Sequence, residues 1–298
     1  MAGNARSLTL DVFARRKRAG ERLVVLTAYD APSARIAAAG GVDAILVGDS
    51  LGNVVLGHGT TLPVTMDDMV HHTAAVVRAQ PGLPVIADMP YGSFHVEPAR
   101  TVENALRLVK EAGATAVKVE GGAVRRAHIA ALLAAEIPVM GHLGLTPQSV
   151  NRFGGYKVQG RGAAAGSALV EEARGLAALG CFAIVLECIP ASLAAEVTAA
   201  VSVPTIGIGA GAACDGQVLV FHDMLGLSDL QAKFVKRYAD LGRLATEAVA
   251  AFASEVRSGA FPTAAHAYAD AGEPAKAEPT SAGGDGYLDG LADGEADA

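Results

Sequence analysis

The chain has 298 residues, 51% of them hydrophobic, enough to bury one large core. Its formal net charge of −7, with basic residues scattered rather than striped, argues against a nucleic-acid surface. No apolar run approaches the length of a membrane span, and the opening MAGNARSLTL lacks an apolar signal core. Cys181, Cys188 and Cys214 show neither metal-site nor redox-pair spacing, so the expectation is a cytoplasmic protein with buried thiols and no membrane partner.

In chain order, residues 7–19 read as a helix that caps the N-terminal end of the strand assembly. Eight strand candidates come next, at 23–30, 43–50, 84–91, 116–121, 137–143, 183–188, 203–209 and 217–222. They are short continuous Val/Ile/Leu runs rather than alternating ones, the pattern of strands covered on both faces. Helical stretches rich in Ala, Leu, Glu and Arg lie between them, clearest at 97–112, 124–135, 163–179 and 192–200. Two longer connections, 52–65 and 146–162, break the rhythm. The second holds FGGYKVQGRG, whose glycines bracket Tyr156, Lys157 and Arg161, as suits a loop that closes over an anion. Residues 228–258 hold one or two amphipathic helices. Residues 1–263 therefore form a single catalytic domain, and 264–298 form an acidic Gly/Ala-rich tail too poor in large apolar residues to order itself.

The strands end in residues able to do chemistry. DAILVGDS stops at Asp49-Ser50 and PVIADMP carries Asp88. TAVKVEGG supplies Lys118 and Glu120, IPVMGHLG supplies His142, and FAIVLEC supplies Glu187. Strict βα alternation allows a closed barrel or an open doubly wound sheet. An open sheet gathers its ligand at one crevice, whereas these residues come from at least five strands. That decides for a (β/α)₈ barrel with its site at the C-terminal face.

Asp49, Asp88 and Glu120 converging on one mouth would repel unless a cation joins them, and an oxygen-only set indicates Mg²⁺ or a similar hard ion. Singly, each aspartate is as readily explained by turn capping. Lys118 and Glu120, two apart, share one side of their strand while Val117 and Val119 share the other. The valines should face the outer helices, leaving the charged pair inside, where Lys118 would anchor a substrate carboxylate. Glu187 ends an otherwise apolar strand and suits a general base. His142 is a substrate hydrogen-bond donor or a satisfied core histidine. GIGAG (207–211) fails the dinucleotide spacing and reads as the end of the seventh strand, and His71-His72 read as structural.

Seven long strings carry a resemblance: LTAYD, VGDSLGNVVLGHGTTLPVTMDDMVHHTAAV, ADMPYGSF, VKVEGG, PVMGHLGLTPQSVNRFGGYKVQGRG, LECIP and IGIGAGAACDGQVLVFHDMLGL. From about Ser7 to about His266 the chain resembles the ketopantoate hydroxymethyltransferase family. The resemblance implies a barrel of the phosphoenolpyruvate/pyruvate superfamily type. It also implies hydroxymethyl transfer from 5,10-methylenetetrahydrofolate to 3-methyl-2-oxobutanoate, giving 2-dehydropantoate in pantothenate biosynthesis. By motif, Asp49 and Asp88 would hold Mg²⁺ and contact the substrate, with Glu120 in the metal's shell. Ser50 and Lys118 would bind the oxoacid, Glu187 would be the base, and His142 a further substrate contact. The family implies a homo-oligomer, often a decamer. A Mg²⁺-dependent C–C lyase or aldolase acting on a related 2-oxoacid is the alternative, since metal–enolate chemistry would be shared.

Overall fold

The computed structural model describes residues 9–268. Among these, eight parallel strands close into a barrel in chain order. They are β1 Leu23–Thr27, β2 Ala44–Val47, β3 Val85–Asp88, β4 Ala116–Glu120, β5 Val139–Gly144, β6 Ala183–Glu187, β7 Thr205–Ile208 and β8 Gly216–Leu219. The helices are α1 Asp11–Ala19, α2 Ala31–Ala39, α3 Leu51–Val54, α4 Met66–Arg78, α5 Pro98–Leu106, α6 Arg126–Ala134, α7 Val150–Phe153, α8 Ala163–Leu179, α9 Ala191–Ala200, α10 Phe221–Met224 and α11 Leu241–Ser258.

The continuous apolar runs make strands because both faces are buried, and the side chains sort by parity. One set, including Ile45, Val47, Val117, Val119, Ile184 and Leu186, packs outward against the helices. The other, including Leu23, Val25, Leu46, Ile86, Met140, Val185 and Ile206, fills the barrel interior. The inward set turns polar at the C-terminal end, which places the chemistry there.

The opposite end is closed by α1, as residues 7–19 predict. Val12 and Phe13 join the interior cluster, and Phe13 meets Phe182 edge-on with centroids 5.1 Å apart. Lys17 Nζ pins the helix to the barrel floor, donating to Val203 O and Asp215 Oδ2 at 2.9 Å each. Helix starts are set by short polar side chains. Asp30 caps α2 through the Ser33 N–H at 2.8 Å, and Thr65 caps α4 through the Asp68 N–H at 3.1 Å.

Several boundaries differ from the sequence expectation. The eighth strand ends at Leu219, and His222 sits on α10. α5 stops at Leu106 and passes into a π-type turn over Arg107–Glu111. Of the two helices allowed within 228–258, one forms, α11. The chain divides into two compact units, the first up to Gly242 and the second from Arg243. The barrel lies in the first. The second contains most of α11 and a 3₁₀ turn at Ala264–His266. From residue 269 onward the acidic tail lies outside the described residues. No described helix is long and apolar enough to cross a membrane.

Candidate active site

Register decides which polar side chains meet. In a parallel barrel, residues level with one another on adjacent strands point to the same side. β3 sets Asp88 beside Lys118, β4 sets Glu120 beside His142, and β5 sets Gly144 beside Glu187. Asp49 and Ser50 lie just past the end of β2, and the Asp49 N–H donates to Asp88 Oδ2 at 3.0 Å. The two aspartates are therefore neighbours. Asp49, Asp88, Lys118, Glu120 and His142 are all buried, and they border one cavity of about 580 Å³ together with Ser50 and Glu187.

The charges are tightly interlocked. Lys118 Nζ stands 3.0 Å from Asp88 Oδ1 and 3.1 Å from His142 Nδ1. Burial alone would neutralise this lysine, but Asp88, Glu120 and Asp49 outweigh it and raise its pKa. It is a firm cation. Asp49 is held well above the usual carboxylate range by burial, then by Asp88 and Glu120. Burial also raises Asp88, with Lys118 opposing. Glu120 goes the other way: burial is overcome by His142, Lys118 and the Gln148 N–H, and its pKa falls.

His142 links these groups to Glu187. Its Nε2 is 3.2 Å from Glu187 Oε2, and its Nδ1 is 3.5 Å from Glu120 Oε1. Burial and Lys118 push its pKa down, but the two adjacent glutamates prevail and the net direction is up. With Lys118 donating to Nδ1, a neutral ring carries its hydrogen on Nε2, and a charged ring carries one there too. Either way Nε2 carries a hydrogen, and the nitrogen stands 3.2 Å from Glu187 Oε2 without hydrogen-bond geometry.

The donor set fits a hard cation at the aspartate pair. Both aspartates offer only oxygen, and buried Asp88 Oδ1 makes no hydrogen bond, facing only the Lys118 ammonium. Glu120 is more committed: its Oε2 accepts the Gln148 N–H at 3.0 Å, with His142 beside its other oxygen. Among the described residues no three His, Cys, Asp or Glu side chains form a preassembled cage. Two protein carboxylates with positions left for substrate and water are a usual way to hold Mg²⁺.

Both long connections emerge at this face. Asn53 and Thr61 from the first, and Tyr156, Lys157 and Val158 from the second, line the cavity with Leu230 and Phe234. Ser50 Oγ is 2.8 Å from Tyr29 Oη, a buried tyrosine, so its hydroxyl is already oriented.

Known proteins resemble this chain. The sequence profile described as ketopantoate hydroxymethyltransferase matches residues 7–264. The chain belongs to the ketopantoate hydroxymethyltransferase family. The 3-methyl-2-oxobutanoate hydroxymethyltransferase of Moorella thermoacetica is 53% identical over 262 residues, covering 88% of this chain and 97% of that one. The one from Trichlorobacter lovleyi is 55% identical over 253 residues, covering 85% and 95%. Among solved structures, 2,3-dimethylmalate lyase, a PEP mutase/isocitrate lyase superfamily member, superposes with a TM-score of 0.55 at 18% identity. That match covers 84% of this chain and 88% of the lyase. Phosphonopyruvate hydrolase, solved with oxalate and Mg²⁺, gives 0.54 at 15% identity, covering 84% and 91%. At those identities the likeness concerns the fold alone, the closed eight-stranded barrel of this ketopantoate hydroxymethyltransferase family chain.

Three contributors were not singled out by sequence reasoning. Gln148 Nε2 donates to Asp49 Oδ2 at 2.8 Å and to Met89 O at 2.9 Å, tying together the loops after β2, β3 and β5. Tyr29 orients Ser50. Asp223 on α10 borders the cavity, accepts from Ser228 Oγ, and has its pKa raised by burial. The only sequence signal for Gln148 was a polar residue after Thr-Pro in a catalytic-face loop. His72 is structural, as expected, with Nδ1 2.7 Å from Tyr29 O.

Proposed function

We propose that the chain transfers a hydroxymethyl group from 5,10-methylenetetrahydrofolate to 3-methyl-2-oxobutanoate, forming 2-dehydropantoate in pantothenate biosynthesis. The observation that carries this reading is the meeting of an aspartate pair, a lysine and Glu187 around one cavity, in a family named for that activity. Asp49 and Asp88 would hold Mg²⁺, with Glu120 beside them. When bound, the ion supplies polarisation of the substrate's keto group, which acidifies the hydrogen on C3.

The chain's own residues do the rest. Lys118 places a fixed positive charge against the anionic end of the oxoacid, and Ser50, oriented by Tyr29, offers a hydroxyl. The Glu187 side chain is 15% exposed, against 3–5% for His142, Lys118, Asp88 and Glu120, so it is the acid free to reach the substrate. Glu187 takes the C3 proton, with His142 Nε2 3.2 Å from its carboxylate. C3 then bonds to the donor's methylene carbon and water supplies the hydroxyl, while both C–N bonds of that carbon break with their electrons staying on the folate nitrogens, which take up the C3 proton and one proton of water. Oxoacid, methylene donor and water become hydroxymethyl product and tetrahydrofolate. Tyr156 and Val158 would exclude bulk water while the loop over 154–162 covers the site.

The domain is proposed to act in the cytosol, in keeping with three free cysteines. It is proposed to act as a homo-oligomer, as large as a decamer, which the apolar side chains exposed on α11 support. The test is product formation from the oxoacid and methylenetetrahydrofolate, with and without chelator. Product made without the one-carbon donor would overturn the assignment, and full activity in excess chelator would remove the metal.

A further inference from the structure

Glu120 also borders a second cavity, of about 390 Å³, formed by the connections after β3, β4 and β5. Its charged wall is Arg125 and Arg152, with His95 nearby. The Arg125 guanidinium lies over the buried Phe94 ring, 5.5 Å from its centroid. Its stem runs past Gly121, where a Cβ would come within 3.1 Å of Arg125 Cγ. Burial, then the neighbouring Arg152 charge, pulls the Arg125 pKa below its usual value. Among the described residues neither guanidinium has a hydrogen-bond or ion-pair partner. The Arg152 guanidinium lies over the Phe153 ring, 4.7 Å from its centroid. Glu120, the carboxylate on this cavity's lining, is engaged by the Gln148 N–H and His142 and pairs with neither arginine. Two adjacent cations without an ion-pair partner repel each other, and an anion between them removes that cost.

A second observation points to a ligand. Gln148 is buried and borders the same cavity, and its Oε1 has no hydrogen-bond partner. Reversing the amide would not satisfy it, because Nε2 already serves two acceptors, Asp49 Oδ2 and Met89 O. An unpaired buried acceptor beside two unpaired donors describes a ligand that brings both an anion and a hydrogen.

We propose that this cavity is a second binding site, for a small oxyanion held bidentately by Arg125 and Arg152, with a ligand O–H or N–H donating to Gln148 Oε1. Hydrogen phosphate, doubly charged with one O–H, and a half-protonated dicarboxylate, singly charged with one O–H, share this chemistry. Arginine is suited to both because its planar fork matches their oxygen pairs.

The test is calorimetric titration of the full-length protein with inorganic phosphate and, separately, with glutarate. Saturable binding is expected, weakened about tenfold or more by Arg152→Gln and by Arg125→Gln. It should be unchanged by Lys157→Gln at the catalytic cavity. Arg152 is exposed and unpartnered, so its variant folds even if Arg125→Gln does not. Phosphate bound more tightly than glutarate would assign the site to phosphate, and the reverse to dicarboxylates. An NMR titration gives an independent reading. Burial and Arg125 hold the His95 pKa down at about 4, and a bound anion should raise it. The proposal is overturned if neither probe binds at about 10 mM, a Kd near the weak limit of specific recognition. It is equally overturned if Arg152→Gln binds as tightly as the parent, or if His95 does not respond to a probe that binds.

Discussion

Asp49 is the residue whose environment is least favourable to its charge, and that has a measurable consequence. Burial, Asp88 and Glu120 all raise its pKa, so the folded state holds a proton there more tightly than the unfolded chain does. Such a group favours folding at acid pH, and that contribution is lost as pH rises through the folded pKa. At neutral pH without metal, Asp49 therefore weakens the fold. Asp49→Asn removes the repulsion while keeping an oxygen for the Gln148 amide. The variant should melt higher than the parent in chelator, by about 2–4 °C for each kcal/mol relieved, and should lose the rise that Mg²⁺ gives the parent. A variant that melts lower and is still protected by Mg²⁺ would contradict the role given to this pair. Glu187 is tested differently. Glu187→Gln should abolish deuterium exchange at C3 of 3-methyl-2-oxobutanoate while binding of the oxoacid is largely kept. Full exchange in that variant would assign the base elsewhere.

At the scale of elements, the site depends on how β5 and β6 lie side by side. Gly144 ends β5 at φ +92°, and a Cβ there would sit 2.2 Å from Glu187 O and 2.7 Å from Ile189 Cγ2. Gly144→Ala must move the end of β6, in addition to a left-handed backbone cost of about 1–2 kcal/mol. Displacing a catalytic carboxylate by about 1 Å costs about 100-fold in rate. We expect kcat to fall by that order in a still-folded barrel, with far-UV circular dichroism unchanged, and near-parental kcat would show that β6 tolerates the shift. The same pairing explains how much of the site was legible in the sequence. Strand identity and the inward placement of Lys118 and Glu120 follow from composition and two-residue periodicity, and both hold. Which inward residues touch depends on register across strands, which no local pattern encodes. So Lys118 was legible as an interior cation, but its contact with His142 was not. His142, read as a substrate donor or a satisfied core histidine, directs both ring nitrogens toward protein groups. Gln148 was illegible because loops lack periodicity and its partners lie 59 and 99 residues away.

For the whole molecule, the second compact unit exposes side chains that a folded chain ordinarily covers. α11 contains no buried residue, although Leu244, Val249, Phe252 and Val256 are exposed at 47–66%. Val249, Phe252 and Val256, spaced three and four apart, lie on one face of the helix. An apolar stripe of that kind in water marks an interaction surface. Phe252 already meets Phe261 at 5.5 Å, so the two valines are the cleaner probes. If α11 is a contact between copies, the parent should run as an oligomer in light scattering. Val249→Asp with Val256→Asp should then shift it to a smaller species, because two carboxylates at an apolar contact are desolvated without partners. A parent that is monomeric at micromolar concentration, or a double variant of unchanged mass, would place the oligomer contact elsewhere or remove it.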